Sequence, residues 1–418
     1  MTSGTKLAIQ WVASVALLAS SLGLAASAYF YSVSLGSEFL WLCLASTAII
    51  HLRVRPRWSE VLALALTTVL FSCFILLILR FRLHIMTVFS LVGLSSLLIL
   101  GLRTTWAQAE ERKLLLWAFV PGVLFVAFGW LTPPLLQYGE LAHPKVLDLY
   151  LYSFDCSLGF QPSFLLGSVL WKWQWLKSVS YFFYLGLSVP IAAVYAGQLV
   201  RRRESALPAM LALLYCGPIG GIFYNIFPAL GPVHLFQENF PWHPLSILQA
   251  RHLLLEPVPI AGFRNAIPSL HMAWVLLAWW YCRGLSWWTK GVVLTFVFFT
   301  VLATLGSGEH YVIDLVVAFP FCLMVQGLFA FSLAWGNTQR LASILLGLST
   351  VLIWLSILRF ANPLFWISPV VPWILVVGTI VGSVLQQRSL ADAVARAEAI
   401  EASPNPHVAA PVAELVES

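Results

Sequence analysis

Apolar runs of about 20 residues recur along this chain between short basic loops, and each run of that length crosses a bilayer as one helix. They fall at approximately 7–30, 36–52, 61–79, 85–102, 114–136, 179–199, 208–227, 266–283, 289–305, 310–335, 340–358 and 367–386. Composition agrees. The 418 residues are 60% hydrophobic and 10% charged, where a soluble domain carries roughly a quarter charged residues. The expected fold is an all-α, polytopic membrane helix bundle of about 12 spans.

The net charge of +6 is not a nucleic-acid signal. Nucleic-acid binding needs a basic face interleaved with polar surface, whereas these charges sit in loops between spans. Arg53, Arg55 and Arg57 share one loop, Arg103, Arg112 and Lys113 another, and Arg201, Arg202 and Arg203 a third. An even number of spans separates them, so they share a side with Lys6, Arg283, Lys290, Arg340 and Arg388. The positive-inside rule makes that side cytoplasmic. The Arg80/Arg82 loop is the exception. Six cysteines without a C-x-x-C pair read as small buried hydrophobes. Ala26-Ser27-Ala28 is compatible with a signal-peptidase site, but the many later spans favour an uncleaved first span.

Two loops on the opposite side are long. Residues 137–178 hold Asp148, Asp155 and Trp171-Lys172-Trp173-Gln174-Trp175-Leu176-Lys177, a pattern expected of an interfacial helix. Residues 228–265, rich in Pro and His, stand where they would roof or gate a site. The chain divides into accessory N-terminal spans (1–136), a central six-span bundle (137–335), C-terminal spans (336–387) and a cytoplasmic tail (388–418). The tail is expected to be a short amphipathic helix followed by disorder.

The chemistry concentrates between Arg264 and Asp314. Asp314 is the carboxylate placed within an apolar span, where a charge is costly without a partner or a watery cavity. His310 lies four residues earlier, on the same helix face. A carboxylate there takes the Nδ1–H, fixes the tautomer and presents Nε2 as a nucleophile. Read alone, the pair is also compatible with a buried structural contact. His271 opens a different span on the same membrane face, placed to act as general acid. Pro268 suits a helix start, and the N–H groups of Ser269 to His271 form a phosphate cradle at the positive end of the dipole. Arg264 on the approach is suited to bidentate phosphate binding, and Gly306 and Gly308 allow close backbone approach before His310. Two rival readings use the same residues. His271, His310 and Asp314 have a two-histidine, one-carboxylate metal composition, but a metal site usually brings further carboxylates and partners. A His/Asp proton relay in a transporter would come with inverted repeats and broken helices, which the sequence does not display.

At these residues the chain resembles the type-2 phosphatidic acid phosphatase superfamily, and within it the branch of inositol phosphorylceramide synthase. The resemblance covers Asp155 to about Trp335. Its sharp parts are Arg264-Asn265-Ala266-Ile267-Pro268-Ser269-Leu270-His271 and Gly308-Glu309-His310-Tyr311-Val312-Ile313-Asp314. A looser match is Tyr224-Asn225-Ile226-Phe227-Pro228-Ala229-Leu230-Gly231-Pro232. The resemblance implies a metal-independent enzyme without a cofactor, acting on membrane lipids. His310 attacks phosphorus, Asp314 supports it and His271 protonates the leaving group. Water or an acceptor alcohol then resolves the phosphohistidine. Arg264 and Ser269 are candidates for phosphate binding; Tyr224, Asn225 and His234 are candidates for substrate binding. Three departures favour transferase over phosphatase. Leu270 replaces a glycine, Ala303 and Thr304 stand where the phosphatases have Ser-Arg, and no Lys-x6-Arg-Pro motif is present. The expected function is transfer of a phospho-head group, such as phosphoinositol, between lipids at the non-cytoplasmic face of a bacterial inner membrane. The alternatives are lipid phosphate hydrolysis and non-catalytic transport.

Overall fold

A computed structural model describes residues 3–35, 39–80, 85–201 and 203–401. The first half of the chain forms α1 (Ser3–Leu35), α2 (Phe39–Arg53), α3 (Trp58–Cys73), α4 (Ile85–Trp106) and α5 (Ala109–Ala142). It continues with α6 (Asp148–Ser157), α7 (Pro162–Lys172), α8 (Gln174–Leu185) and α9 (Ser188–Arg201). The second half forms α10 (Arg203–Ile226), α11 (Pro232–Phe236), α12 (Ile247–Arg251), α13 (Leu270–Tyr281) and α14 (Trp287–Gly306). The last helices are α15 (Val312–Leu328), α16 (Thr338–Phe360) and α17 (Val370–Glu401). Strands β1 (Lys145–Val146) and β2 (Val258–Pro259) pair antiparallel, Lys145 opposite Pro259.

Among the described residues, eight helices are long and apolar enough to cross a membrane. The number is nine if α8 and α9, bent by 47° at their junction, count as one span. The protein is therefore an all-α, multi-pass membrane protein. The sequence suggests about twelve spans. Part of the difference lies in α2, α13 and α15, which have 15, 12 and 17 residues and fall short of the ~20 of a lone crossing. The segment expected as one interfacial helix is divided. Lys172 ends α7, Gln174 begins α8, and the Lys177 ammonium lies 3.8 Å from the centre of the Trp171 ring.

The chain forms two compact units. The first comprises Met1–His143, Leu170–Leu214 and Ala278–Thr304. Leu40, Leu44, Phe71, Ile75, Leu91, Leu94 and Leu98 form its apolar core. Arg103 bonds Glu60 at 3.1 Å and Glu111 at 2.7 Å, and Arg57 reaches Glu111 at 3.3 Å. These bonds bring two of the basic loops to one end of the unit. The Arg201 guanidinium donates to the Arg283 carbonyl at 3.0 Å, which joins two more. Arg82 and Arg202, which also entered the charge count, lie outside the described residues.

The second unit comprises Pro144–Val169, Tyr215–Leu277 and Leu305–Ser418. Asn337 caps α16 by accepting from the Gln339 and Arg340 N–H groups at 3.0 and 3.2 Å. Buried Arg340 then donates to the carbonyls of Gly327, Leu328 and Leu333, which ties the start of α16 to the end of α15 and the turn after it. Helix α6 is buried along most of its length. Ser153 donates to Asn362 at 2.8 Å, and the Asn362 amide donates to the Tyr150 carbonyl at 3.1 Å. Tyr152, Phe164, Phe236 and Phe240 stack edge to face or tilted, with centroids 4.7 to 6.1 Å apart. This cluster fastens the segment after α11 to α6 and α7. Helix α17 continues to Glu401, with Leu390 and Ala393 packed against Ala330 and Leu333. The disorder expected after this helix falls on residues outside those described.

Candidate active site

The starts of α13 and α15 meet in the second unit. The Ser269 N–H donates to the Asp314 carbonyl at 3.0 Å, and Cys322 in α15 donates to the Ala273 carbonyl at 3.3 Å. The pairing brings His271 and His310 together, with ring centroids 6.0 Å apart and planes inclined by 66°. The two imidazoles are thus close enough to act on one bound group.

His310 is 1% exposed and Asp314 is fully buried. His310 Nδ1 lies 3.3 Å from Asp314 Oδ2, and Ser269 Oγ lies 3.2 Å from His310 Nε2. An ionised Asp314 accepts the Nδ1–H and leaves the lone pair on Nε2, where the Ser269 hydroxyl donates to it. Asp314 Oδ2 also accepts from the Tyr311 N–H at 2.8 Å, so one oxygen holds both the imidazole and the backbone beside it. Oδ1 is buried without a hydrogen-bond partner among the described residues.

Two more carboxylates, both from α6, hold the surrounding backbone. Asp155 accepts from the Val312 N–H at 2.8 Å and the Ile313 N–H at 3.3 Å. Asp148 accepts from the Leu230 and Gly231 N–H groups and from the Tyr311 hydroxyl, at 2.8 to 3.2 Å. Sequence reasoning places both aspartates in a loop and assigns them no role. A signal was present: two of the chain's four aspartates stand seven apart, which puts them on one face of any helix containing both. Helix α6 lies outside the candidate spans. Burial pushes the Asp148 carboxyl up to about 7, against the pull of the Leu230 and Gly231 N–H groups. Burial pushes Asp155 up to about 8, opposed by the Val312 N–H and reinforced by the charge of Asp314.

The remaining candidates fare differently. Arg264 is 3% exposed and its guanidinium donates to the Gly262 and Ile260 carbonyls. It thereby braces the loop before α13. The expected N–H cradle at Ser269 is partly spent, because that N–H is bonded to the Asp314 carbonyl. Gly308 does receive a close backbone neighbour, the Val233 N–H at 2.9 Å, but it belongs to the chain itself. His234 Nε2 lies 3.5 Å from Glu309 Oε2, and the two side chains are 35% and 27% exposed. The hydrogen bond to Glu309 holds the His234 imidazole above its ordinary range. Tyr224 is buried and bonded to the Leu270 backbone. Asn225 is exposed, and its amide donates to the Gly221 carbonyl of its own helix at 2.8 Å. Leu270, the departure from the phosphatase pattern, is accommodated by Gly220: a Cβ on Gly220 would lie 2.4 Å from Leu270 Cδ2. Among the described residues, no three His, Cys, Asp or Glu side chains are arranged to hold a metal ion.

Residues 149–328 match the family model of the PAP2 superfamily. The match contains all eight candidate site residues and Asp155, and it does not distinguish a branch within the superfamily. No curated protein and no solved structure matched the chain.

Proposed function

We propose that this protein is a membrane-embedded lipid phosphotransferase that moves a phospho-head group between lipids through a phosphohistidine on His310. The observation that supports the reading most directly is the line Ser269–His310–Asp314 with His271 beside it. In the first step Nε2 of His310 forms a bond to phosphorus while the bond to the donor lipid's oxygen breaks. His271 gives that oxygen a proton, and Asp314 stabilises the cationic ring. In the second step an acceptor hydroxyl attacks phosphorus, the P–N bond breaks and the hydroxyl proton passes to His271. The chemistry runs on side chains alone. Transfer is favoured over hydrolysis because Leu270, Ala303 and Thr304 depart from the phosphatase pattern, and phosphoinositol is one head group such a transferase would carry.

The reaction face we propose is the non-cytoplasmic one, in a bacterial inner membrane. Helix α13 has His271 near its start and ends two residues before Arg283. Arg283 adjoins Arg201, and basic loops favour the cytoplasm. The deciding experiment is lipid mass spectrometry on cells expressing wild type or His310→Ala, with candidate donors and acceptors supplied. A new phospholipid or phosphosphingolipid with wild type alone supports transfer, and its mass names the head group. Loss of a phosphorylated lipid in favour of its dephosphorylated form would make the protein a phosphatase. Identical lipidomes would overturn both and point to transport.

A further inference from the structure

We infer that Asp155 and Ser163 are positioning residues that aim His310, an assignment that rests on the proposed role of His310 as nucleophile. One carbonyl and three successive N–H groups beside the His310 side chain are held by side chains. The His310 carbonyl accepts from Ser163 Oγ at 2.9 Å. The Tyr311 N–H donates to Asp314, and the Val312 and Ile313 N–H groups donate to Asp155. Ser163 and Asp155 are each 3% exposed. Both belong to the α6–α7 segment, far from His310 in sequence.

The first N–H groups of a helix have no partner within it, and a Ser, Thr, Asp or Asn just before the helix usually serves them. Here that position is Tyr311, whose hydroxyl is instead donated to Asp148 at 3.2 Å. Asp155 supplies the missing cap from another helix, so the cap fixes both the turn and its place relative to α6. Ser163 fixes the other end of the same short stretch. A rotation of the 310–311 peptide would swing the imidazole away from both Asp314 and the phosphorus. Displacement by about 1 Å costs on the order of 100-fold in rate. The bonds therefore act on the chemical step, and binding of the lipid does not depend on them.

The test uses full-length protein in lipid nanodiscs. Phosphatidic acid and phosphatidylinositol serve as phosphate sources, ceramide and diacylglycerol as acceptors, and turnover is counted per folded molecule. Asp155→Asn and Ser163→Ala should lower kcat by roughly 10- to 100-fold with KM within about twofold. Ser163→Thr, which keeps the hydroxyl, should recover most of the rate, and Asp155→Ala should be worse than Asp155→Asn. Wild-type turnover per folded molecule in Asp155→Asn and Ser163→Ala, even with a reduced folded yield, would overturn the positioning role. Turnover retained in His310→Ala, or absent in wild type with all four lipids, would instead overturn the reading beneath it.

Discussion

Ser269 Oγ lies 3.2 Å from His310 Nε2, the ring nitrogen opposite the one facing Asp314. The nitrogen proposed to attack phosphorus is thus already occupied by a hydroxyl, which an arriving phosphate must take over. Transferred to a phosphate oxygen, this hydrogen bond becomes charge-assisted, worth about 1.5–3 kcal/mol. Ser269→Ala should lower kcat/KM by roughly 10- to 100-fold, with much of the loss in KM. Steady-state kinetics check it. An unchanged kcat/KM would mean that the hydroxyl is only a placeholder.

Asp314 and His310 should behave as one unit. Asp314→Asn keeps the shape but favours the wrong imidazole tautomer, and analogous changes cost on the order of 10⁴ in kcat. Groups that act together are strongly non-additive, so the double variant with His310→Ala should be no slower than His310→Ala alone. Independent, multiplying losses would argue that the two residues serve different steps.

The buried aspartates of α6 predict an unusual pH response. Unfolded, each titrates near about 3.9; folded, Asp148 rises to about 7 and Asp155 to about 8. A raised folded pKa means that the folded chain holds more protons across this window. The stability from these groups is fully present below about pH 4 and is lost as pH rises through 7 to 8. Thermal midpoints in detergent should therefore fall between pH 5 and pH 8.5. Asp148→Asn should flatten that fall, because an amide does not ionise. An equally steep fall in both Asp148→Asn and Asp155→Asn would assign the pH response to other groups.

Gly231 offers a purely steric test. A Cβ there would stand 2.4 Å from the Glu309 carbonyl oxygen, which is backbone and has no rotamer to yield. Gly231→Ala should push the segment before His310 aside, at about 1–3 kcal/mol by analogy with overpacked cores. The expected readout is a lower thermal midpoint together with reduced turnover per folded molecule. A normal midpoint with normal turnover would show that the segment moves freely.

The helical, membrane-spanning character was legible because about 20 consecutive apolar residues have few other fates. The convergence of His271, His310 and Asp314 was legible because each motif opens an apolar segment. What local pattern could not supply was the partner of each polar group. Arg264 reads as a phosphate ligand in sequence, yet its guanidinium meets two carbonyls within four residues of it. Ser269 reads as part of a cradle, yet its N–H belongs to the Asp314 carbonyl. Asp148 and Asp155 read as loop residues because their partners are supplied by tertiary contact. Short helices such as α13 were overextended because apolar residues continue past its ends into non-helical chain.

The bond between Asp155 and the Val312 N–H joins residues 157 apart. At ribosomal rates of about 5–20 residues per second, the carboxylate is made roughly 8–30 seconds before its partner exists. During that interval α6 cannot take its final buried place without leaving Asp155 unpartnered, so water or a bound proton must attend it. Docking of α6 and completion of the nucleophile's turn are then one late event, and a nascent chain stalled before residue 312 would hold the scaffold open.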